Sequence, residues 1–553
     1  MKQFFSKLSA ILSAQERSRM LLLALADMLT GLLDVLFLAA LLLLINSFTH
    51  TGIGARGNKV TKLLSEYDPL LVTGVFLLLY AMKNIAAVKL MRRQHNFVSG
   101  VASRLSQRNL LQYLHGSYLD YVHTDSSVRV RQISQMPIEF GQYVLTNLQT
   151  IIAQSILIVF TICAMLLYHP ALFIVLLLVL LPPVVLLGRY IKRGLSKIRT
   201  QIKASGVKTI QYLQEALAGY IESNVFGKTD FFVNRFQQSQ QELNHGIAVQ
   251  QTLQSLSSRL IELFALAGFC ILIVLNRITH GSGIDLLSIG VFMAAAYKII
   301  PGIVKILNSA GQIRTYSFTL DSLLPVGYSS EEKNSIDVPP IQSVAFNDVS
   351  FRYAEKQVLN KFSFTAKSGS MVGISGVSGR GKTTLINLLL GFLSENSGAI
   401  HINERPVDAV ARKAYRRRIA YVKQQGFFIN DTIRANITLN DTDTDEKRLT
   451  EALRVSGLEV LLQADPDGLD KQLRENGKNI SGGQRQRLML ARALYHDFDL
   501  LILDEPFSQM DEAAEQAILA QLQKLLHNKL LFFITHNRKS LTFCNQTILL
   551  NAD

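Results

Sequence analysis

Long apolar runs in the first three hundred residues constrain this fold more than any other feature of the sequence. The hydrocarbon core of a bilayer needs about 20 consecutive apolar residues per helix. Six stretches meet that requirement, near residues 20–46, 69–91, 140–168, 171–190, 255–276 and 285–307. The first run is too long for a signal-peptide core and has no small-residue cleavage site after it, so we interpret it as a retained span. The sequence therefore predicts an α-helical membrane domain of six transmembrane helices.

Positive charges cluster at the ends of these runs. The formal net charge of the 553-residue chain is +15. The cations that flank the first, second and fourth runs are Lys2, Lys7, Arg17, Arg19, Arg92, Arg93, Arg189, Lys192, Arg193, Lys197 and Arg199. Loops rich in lysine and arginine stay in the cytoplasm, which predicts both termini and the polar stretches 94–136 and 191–252 on that side. This distribution argues against a nucleic-acid partner and favours a multi-pass protein of the bacterial inner membrane.

The composition changes after Leu323. Prolines, glycine and serines mark a linker at 324–341, and residues 342–553 alternate apolar strands with helical segments, as an α/β protein does. We therefore divide the chain into a transmembrane domain at 1–323, the linker, and a soluble domain at 342–553. The three cysteines, Cys163, Cys270 and Cys544, provide neither metal-ligand spacing nor a disulfide framework.

The soluble domain contains a phosphate-binding loop. An apolar strand at 372–375 leads into Gly376, Val377, Ser378, Gly379, Arg380, Gly381, Lys382 and Thr383, and Thr384 continues into an apolar helix. This is the G-x-x-x-x-G-K-T pattern in the strand–loop–helix setting of a P-loop. Its glycines let backbone N–H groups surround phosphate oxygens, and the helix N-terminus favours the negative charge. We predict that Lys382 reaches the β- and γ-phosphates of ATP and that Thr383 binds Mg²⁺.

A second chemical motif follows the apolar run 500–503. The four apolar residues predict a buried parallel strand, and Asp504 and Glu505 stand at its carboxyl end. We expect Asp504 to hold Mg²⁺ through water, and Glu505 to orient and polarise the attacking water. Together with the P-loop, this pair of acids predicts an α/β P-loop NTPase domain.

A third motif carries a family resemblance. Ile480, Ser481, Gly482, Gly483 and Gln484 are similar to the signature of ATP-binding-cassette (ABC) ATPases, 23 residues before the first acid. The resemblance implies a role for four further residues. These are Tyr353 as the aromatic that stacks on adenine, Gln424 as the Q-loop glutamine that touches Mg²⁺, Asp511 as the D-loop aspartate, and His536 as the switch histidine that contacts the γ-phosphate. We therefore predict that Glu505, His536 and Gln424 are the catalytic residues.

Three positions depart from the family's usual pattern. Arg380 replaces a small residue, Lys423 replaces a proline, and the D-loop at 507–511 has an unusual sequence, but no catalytic atom is lost. In this family ATP lies between the P-loop of one domain and the signature of its partner, because the γ-phosphate needs donors from both sides. The resemblance therefore implies a homodimer with two intact sites. A heterodimer with another chain is the alternative.

Charged residues inside the predicted spans are costly and mark functional or paired positions. They include Asp27, Asp34, Lys83, Arg259, Glu262, Lys298 and Lys305. Asp27 and Lys83 fall at a similar depth, which predicts an ion pair, and Arg259 lies one turn from Glu262. Lys298 and Lys305 share one helix face, and no acid in that span is expected to pair with them, which favours an anionic cargo. Snorkelling of Lys305 to the cytoplasmic boundary is the alternative.

The membrane half resembles bacterial lipid-linked oligosaccharide flippases at 297–301 and at 222–236. That resemblance implies that Arg259, Lys298 and Lys305 meet a pyrophosphate. Our leading hypothesis is an ATP-driven homodimeric exporter of a lipid-linked saccharide or another amphipathic anion. A peptide exporter and a multidrug or lipid efflux pump remain alternatives, and an ATP-gated channel or regulator is a rival from another class.

Overall fold

The structure, a computed structural model, describes residues 2–49, 68–168, 170–278, 286–324, 337–377, 379–439 and 443–550. Contacts divide the chain into two compact units. One contains residues 1–116 and 120–328, and the other contains residues 117–119 and 329–553. Most of the predicted linker and the P-loop residue Ser378 lie outside the described residues.

The described residues before the linker form helices. In chain order the helices are α1 Lys2–Ile11, α2 Ala14–Thr49, α3 Pro69–Leu114, α4 Tyr118–His123, α5 Ser126–Val130, α6 Met136–Glu139, α7 Thr146–Tyr168, α8 Pro170–Ala218, α9 Tyr220–Val225, α10 Thr229–Ile278, α11 Leu286–Tyr316 and α12 Phe318–Ser322. Two π-helical turns, Arg131–Gln135 and Phe140–Leu145, join α5, α6 and α7 into one continuous helix.

Three helical stretches in the described residues are long and apolar enough to cross a membrane: Ala14–Phe37, Pro69–Leu114 and Ser126–Cys163. The predicted spans 171–190 and 255–276 fall within α8 and α10, and residues 286–307 of the last predicted span fall within α11. Several helices are much longer than a span, since α3 has 46 residues and α10 has 50. At 1.5 Å per residue, such helices exceed the roughly 30 Å of a bilayer core. They therefore extend well beyond the predicted spans.

The predicted pairing of Lys83 with Asp27 is wrong. The Lys83 ammonium forms an ion pair with Asp34 instead, and its side chain is only 7% exposed. It also lies 4.8 Å from the centre of the Tyr80 ring. Asp34 is seven residues, or about 10 Å, further along α2 than Asp27. The apolar pattern of two helices predicts that they are neighbours, but it does not set their relative height to within two turns.

The second unit contains strands and helices in alternation. The strands are β1 Ser343–Tyr353, β2 Lys356–Lys367, β3 Met371–Ser375, β4 Ser397–Ile402, β5 Arg405–Pro406, β6 Ile419–Val422, β7 Leu500–Asp504, β8 Leu530–Ile534 and β9 Gln546–Leu549. The helices are α13 Lys382–Leu389, α14 Ala409–Tyr415, α15 Ile433–Thr438, α16 Glu446–Val455, α17 Glu459–Gln463, α18 Gly482–Tyr495, α19 Glu512–Leu525 and α20 Arg538–Leu541.

A parallel sheet in the order β6-β7-β8-β3-β9 forms the centre of this unit. Leu500 and Ile502 of β7 contribute to one core, which includes α13, whereas Leu501 and Leu503 contribute to the other, which includes α18. Because both faces are covered, β7 is a continuous apolar run. A second, antiparallel sheet has the order β2-β1-β4-β5. The structure thus has strands at both predicted motif positions, 372–375 and 500–503.

Candidate nucleotide-binding and hydrolysis site

The P-loop connects β3 to α13. Gly381 precedes α13 with φ +91°, and a Cβ at this position would lie 2.7 Å from Val358 Cγ1. Only glycine adopts this conformation in so little space without strain. Val377, Gly379 and Arg380 are exposed on the loop. Since α13 begins at the end of the loop, its unpaired N–H groups and its dipole provide the positive potential that a phosphate requires.

Lys382 is the charged centre of the loop. Its side chain is largely buried, and Nζ donates a hydrogen bond to the Gly376 carbonyl at 2.6 Å. Nζ also lies 3.0 Å from His536 Nε2. His536 follows β8, and β8 is the neighbour of β3 in the sheet. The sheet order therefore brings together two predicted residues that are 154 positions apart.

Glu505 joins the same group of side chains. Its Oε1 lies 3.0 Å from His536 Nε2, and its Oε2 accepts a hydrogen bond from Gln424 Nε2 at 2.7 Å. The backbone of Glu505 has φ +48°, which is uncommon for a residue with a side chain. Its N–H donates to the Ile534 carbonyl at 3.0 Å. Strained backbone of this kind concentrates at functional sites, because the surrounding structure must hold it.

The imidazole of His536 serves one of its two neighbours at a time. Nε2 is a donor in one tautomer and an acceptor in the other. As a donor it satisfies Glu505, and as an acceptor it satisfies Lys382. A cation, a titratable ring and a carboxylate thus meet in one hydrogen-bonded set, together with the amide of Gln424. Such a set has the parts that proton transfer next to a phosphate requires.

Asp504 ends β7 beside Glu505. Burial raises the pKa of the Asp504 carboxyl, and the negative charge of Glu505 raises it further. Tyr421 is a neighbour that the sequence analysis missed, and its hydroxyl donates to Asp504 Oδ2 at 3.4 Å. Tyr421 lies on β6, which pairs with β7. In the sequence, Tyr421 is only an aromatic residue three positions before Gln424. A role beside Asp504 becomes visible when β6 is paired with β7.

The remaining predicted residues near the P-loop differ in exposure. Thr383 is exposed in the first turn of α13, whereas Thr384 is buried. Tyr353, at the end of β1, is 42% exposed, and its ring meets Phe351 edge-on with the centroids 4.9 Å apart. A partly exposed aromatic ring of this kind is available to stack on a planar ligand. These environments are compatible with the predicted roles.

The signature residues start α18. Ser481 Oγ accepts a hydrogen bond from the Gln484 N–H at 3.2 Å, and Gln484 Oε1 accepts one from the Ser481 N–H at 2.9 Å. This reciprocal capping box fixes the start of the helix and places Gly482 and Gly483 in its first turn. A Cβ on Gly482 would lie 2.1 Å from Gln509 Oε1, so the helix start is in close contact with the D-loop.

Gln486 holds the D-loop to α18 and is a second residue that the sequence analysis missed. Its Nε2 donates to Ser508 Oγ at 2.8 Å, and its Oε1 accepts from the Gln509 N–H at 2.9 Å. The side chain is buried, so both ends of its amide are satisfied inside the protein. Asp511, which we predicted to contact nucleotide, accepts a hydrogen bond from the Ala514 N–H at 2.8 Å and thereby caps α19.

The structure collects the predicted residues in two groups. One contains the P-loop lysine, Gln424, the two acids and His536, and the other contains the signature and the D-loop. Among the described residues, no hydrogen bond or ion pair joins 481–484 to the P-loop of the same chain. The cargo candidates Arg259 and Lys305 are exposed on α10 and α11, and the Lys298 side chain lies outside the described residues.

Both halves of the chain match known families. Residues 359–508 match the ABC transporter family, and residues 140–295 match the ABC transporter transmembrane region. The chain is 30% identical over 464 residues to an ATP-dependent lipid A-core flippase of Burkholderia orbicola, which covers 81% of this chain and 78% of the relative. It is 28% identical over 521 residues to the protein of that name in Burkholderia pseudomallei, with 91% and 84% covered.

Two further similarities differ in how much of each chain they cover. A probable ABC transporter ATP-binding/permease protein of Haemophilus influenzae is 30% identical over 289 residues, and the chain spans about half of it, 52%. The structure of a bacterial Atm1-family ABC exporter with ATP bound has a TM-score of 0.78. The match covers 97% of this chain and 93% of that one at 18% identity, so it concerns the fold.

Proposed function

Because the chain belongs to the ABC transporter family, with a transmembrane region and an ATPase region in one polypeptide, we propose that it works as a homodimer that flips a lipid-linked saccharide or another amphipathic anion. It is an integral membrane protein that binds ATP and couples ATP hydrolysis to export. Each copy would contribute six spans in a transmembrane domain at 1–323, a linker at 324–341 and a nucleotide-binding domain at 342–553. Both termini would lie in the cytoplasm, with the spans in a bacterial inner membrane.

One observation carries the hydrolytic role, namely the hydrogen-bonded set of Lys382, His536, Glu505 and Gln424. In the proposed mechanism, the P-loop N–H groups and Lys382 hold the phosphates of ATP. Glu505 takes the proton of the attacking water, because a carboxylate within hydrogen-bond reach of that water is a general base. His536 then turns from Glu505 to the γ-phosphate, and Gln424 keeps Glu505 oriented.

Mg²⁺ fits the oxygen donors on this edge of the sheet. Asp504, the hydroxyl of Thr383 and the amide oxygen of Gln424 are the ligand types that this cation prefers. The pKa of Asp504 is raised by burial and by its neighbour Glu505, and a divalent cation would relieve the repulsion between the two carboxylates. When bound, Mg²⁺ would neutralise charge on the β- and γ-phosphates. Asp504 would be held in place by the Tyr421 hydroxyl.

The second half of each site would come from the other copy. Ser481, Gly482, Gly483 and Gln484 have helix-start N–H groups, and a helix start is a site for phosphate. Within one chain these residues contact the D-loop and not the P-loop, as far as the described residues extend. A two-fold pair would bring each signature, with Asp511, to the P-loop of its partner. ATP binding would then close the pair, and hydrolysis would reopen it, which drives alternating access.

Mixed dimers test this pairing. We expect Lys382→Ala and Gly483→Asp each to abolish hydrolysis in a pure population, because one removes a phosphate ligand and the other places a carboxylate where the γ-phosphate binds. In a mixed dimer, both substitutions fall in the same composite site and the other site is intact. Co-expression with two affinity tags and sequential purification should therefore restore about half of the wild-type ATPase rate per dimer. An inactive mixed dimer would contradict the expectation that one intact composite site hydrolyses ATP.

The cargo class rests on positive charge in the membrane helices. Lys305 is exposed on α11, and Arg259 is exposed on α10. A cation in a membrane helix is retained where it meets an anion or a polar cavity. Two copies would double these charges around one pathway, which suits a phosphate or pyrophosphate headgroup. The Burkholderia relatives of this chain are named lipid A-core flippases, which supports an anionic glycolipid.

ATPase stimulation in lipid nanodiscs tests the cargo. We expect a polyprenyl-pyrophosphate glycan to stimulate the wild type, and Lys305→Ala to raise the half-stimulating concentration about tenfold. A charge-assisted hydrogen bond to phosphate is worth about 1.5–3 kcal/mol, and the lower end of this range corresponds to about tenfold. The matched control is Lys208→Ala, which removes an exposed lysine from α8 outside the predicted spans and is expected to behave as wild type. Stimulation by peptides alone would replace the flippase proposal with a peptide exporter.

A further inference from the structure

A cluster of carboxamide side chains joins three membrane helices. Gln312 of α11 is at its centre. Its Oε1 accepts a hydrogen bond from Asn147 Nδ2 of α7 at 2.7 Å, and its Nε2 donates to Gln254 Oε1 of α10 at 3.4 Å. Gln250 lies one turn before Gln254, and Asn308 lies one turn before Gln312. We call these five residues the amide cluster.

Several polar atoms of the amide cluster are shielded from solvent and have no hydrogen-bond partner among the described residues. They are Gln254 Nε2, Gln250 Oε1 and Asn308 Oδ1. The Gln250 side chain as a whole is only 5% exposed. Buried polar atoms in proteins are nearly always satisfied, and one that is not is expected to have a water or a ligand as its partner. Three such atoms in one cluster indicate a polar occupant.

The chemistry of the unpaired atoms defines that occupant. Nε2 is a donor, and the two oxygens are acceptors. None of the five side chains carries a charge, so the cluster itself does not select an ion. A hydroxyl group both donates and accepts, and it is therefore the simplest partner for a mixed set of amide donors and acceptors. A molecule with several adjacent hydroxyls, such as a sugar ring, satisfies more than one of these atoms at once.

The amide cluster lies close in sequence to Lys305, a cation of α11. Gln254 stands at the start of the predicted span 255–276, and Gln312 follows the end of the predicted span 285–307. In the proposed topology, both lie at the cytoplasmic boundary of the membrane. Lys305 precedes Gln312 by seven residues, which places it on the same helix face and about 10 Å deeper. That distance is comparable to the size of one sugar residue.

We propose that the amide cluster of Asn147, Gln250, Gln254, Asn308 and Gln312 binds the sugar hydroxyls of the cargo headgroup while Lys305 binds its phosphate. This rests on the proposed function. It assigns recognition of the phosphate and recognition of the sugar to two positions about 10 Å apart along α11. The lysine provides affinity for any lipid phosphate, whereas the amides select lipids that carry a saccharide. Selectivity of this kind arises because an analogue without hydroxyls leaves the buried amide atoms unpaired.

Two probes test recognition of the sugar and recognition of the phosphate separately. One is polyprenyl pyrophosphate that carries a disaccharide, and the other is polyprenyl pyrophosphate without sugar. For each probe, binding to the full-length protein in nanodiscs and the concentration that half-stimulates ATP hydrolysis are measured. We expect the wild type to prefer the saccharide probe by at least about tenfold, the value of one or two hydrogen bonds. We expect Gln254→Leu and Gln312→Leu to remove that preference and to leave binding of the sugar-free probe within about threefold of wild type.

Gln251→Leu is the matched control. It removes an exposed amide from α10 at the same depth, next to Gln250, and is expected to keep the wild-type preference. Gln254→Met and Gln312→Met are second variants that keep the length of the side chain and add no charge, and they serve if the leucine variants do not fold. Thermal unfolding and gel filtration identify any variant that has lost its fold.

The outcomes distinguish this inference from the proposed function. Loss of the sugar preference in the Gln254 and Gln312 variants, with Gln251→Leu unchanged, supports a saccharide site. An unchanged preference in those variants overturns it and assigns the amide cluster to water, while the flippase proposal stands. A wild type that responds equally to both probes also overturns it and leaves a phosphate-selective flippase. A wild type that binds neither probe overturns the cargo proposal and the saccharide site together.

Discussion

Glu505→Gln is expected to lower the ATPase rate by about 10²–10⁴-fold, the usual contribution of a general base. The amide keeps the size of the carboxylate, so the contacts with His536 and Gln424 remain possible, but it cannot take a proton from water. ATP binding is expected to stay close to wild type, because Glu505 is not among the predicted phosphate ligands. The measurement is steady-state phosphate release together with equilibrium ATP binding, on purified protein in nanodiscs.

Glu512→Gln is the matched control for this prediction. Glu512 lies at the start of α19 and forms an exposed ion pair with Lys539. Exposed ion pairs contribute about 0–1 kcal/mol, so this variant is expected to hydrolyse ATP at the wild-type rate. If Glu505→Gln keeps a rate within about threefold of wild type while Glu512→Gln does the same, a different group activates the water and the assigned base is wrong.

Arg131→Ala is expected to destabilise the first unit by about 3–5 kcal/mol, the usual cost of breaking a buried ion pair on one side. Arg131 is 1% exposed. Its Nη1 donates to the Lys203 carbonyl at 2.6 Å, its Nη2 donates to Glu139 Oε1 at 3.4 Å, and its guanidinium lies 5.4 Å from the centre of the Phe318 ring. The measurement is thermal unfolding of the full-length protein, which should show a melting temperature lowered by at least about 5 °C.

Two variants make this prediction specific. Arg129→Ala removes a neighbouring arginine that hydrogen-bonds to Thr124 Oγ1 at 3.2 Å and to Gln132 Oε1 at 3.5 Å and lies 5.7 Å from the centre of the Tyr113 ring. Because these contacts are to neutral groups, the variant is expected to cost at most about 2 kcal/mol. In the double variant Arg131→Ala with Glu139→Gln, the orphaned carboxylate is neutralised, so part of the lost stability should return. Equal melting temperatures for Arg129→Ala and Arg131→Ala would show that the buried contacts of Arg131 do not contribute the expected stability.

The local motifs were predictable because each is a short segment with its own geometry. The P-loop needs a strand, a glycine-rich turn and a helix start, and residues 372–389 form these three parts in order. The acids at 504–505 follow an apolar strand, and the length of that strand sets where the carboxylates emerge. The P-loop and strand patterns identify an NTPase fold, and the signature pattern identifies the family. Both are confirmed by the family matches.

Partners between distant segments were not predictable in the same way. The pairing of Lys83 with Asp34 was missed, because hydrophobic periodicity indicates which helix faces are buried but not how far two helices are shifted along each other. Tyr421 and Gln486 are ordinary polar residues until β6 lies beside β7 and α18 lies beside the D-loop. Neither residue stands in a motif that requires its type.

The sequence by itself therefore determined the family and the fold that goes with it, and it predicted the chemical groups of the candidate nucleotide site. The tertiary structure decided which of these groups touch, and it introduced residues with no motif at all. Gly206 shows the physical reason. A Cβ there would lie 2.6 Å from Arg131 Nη1, so a glycine on α8 makes room for an arginine 75 positions away. Close approach of two segments depends on the packing of whole helices, and no local pattern records it.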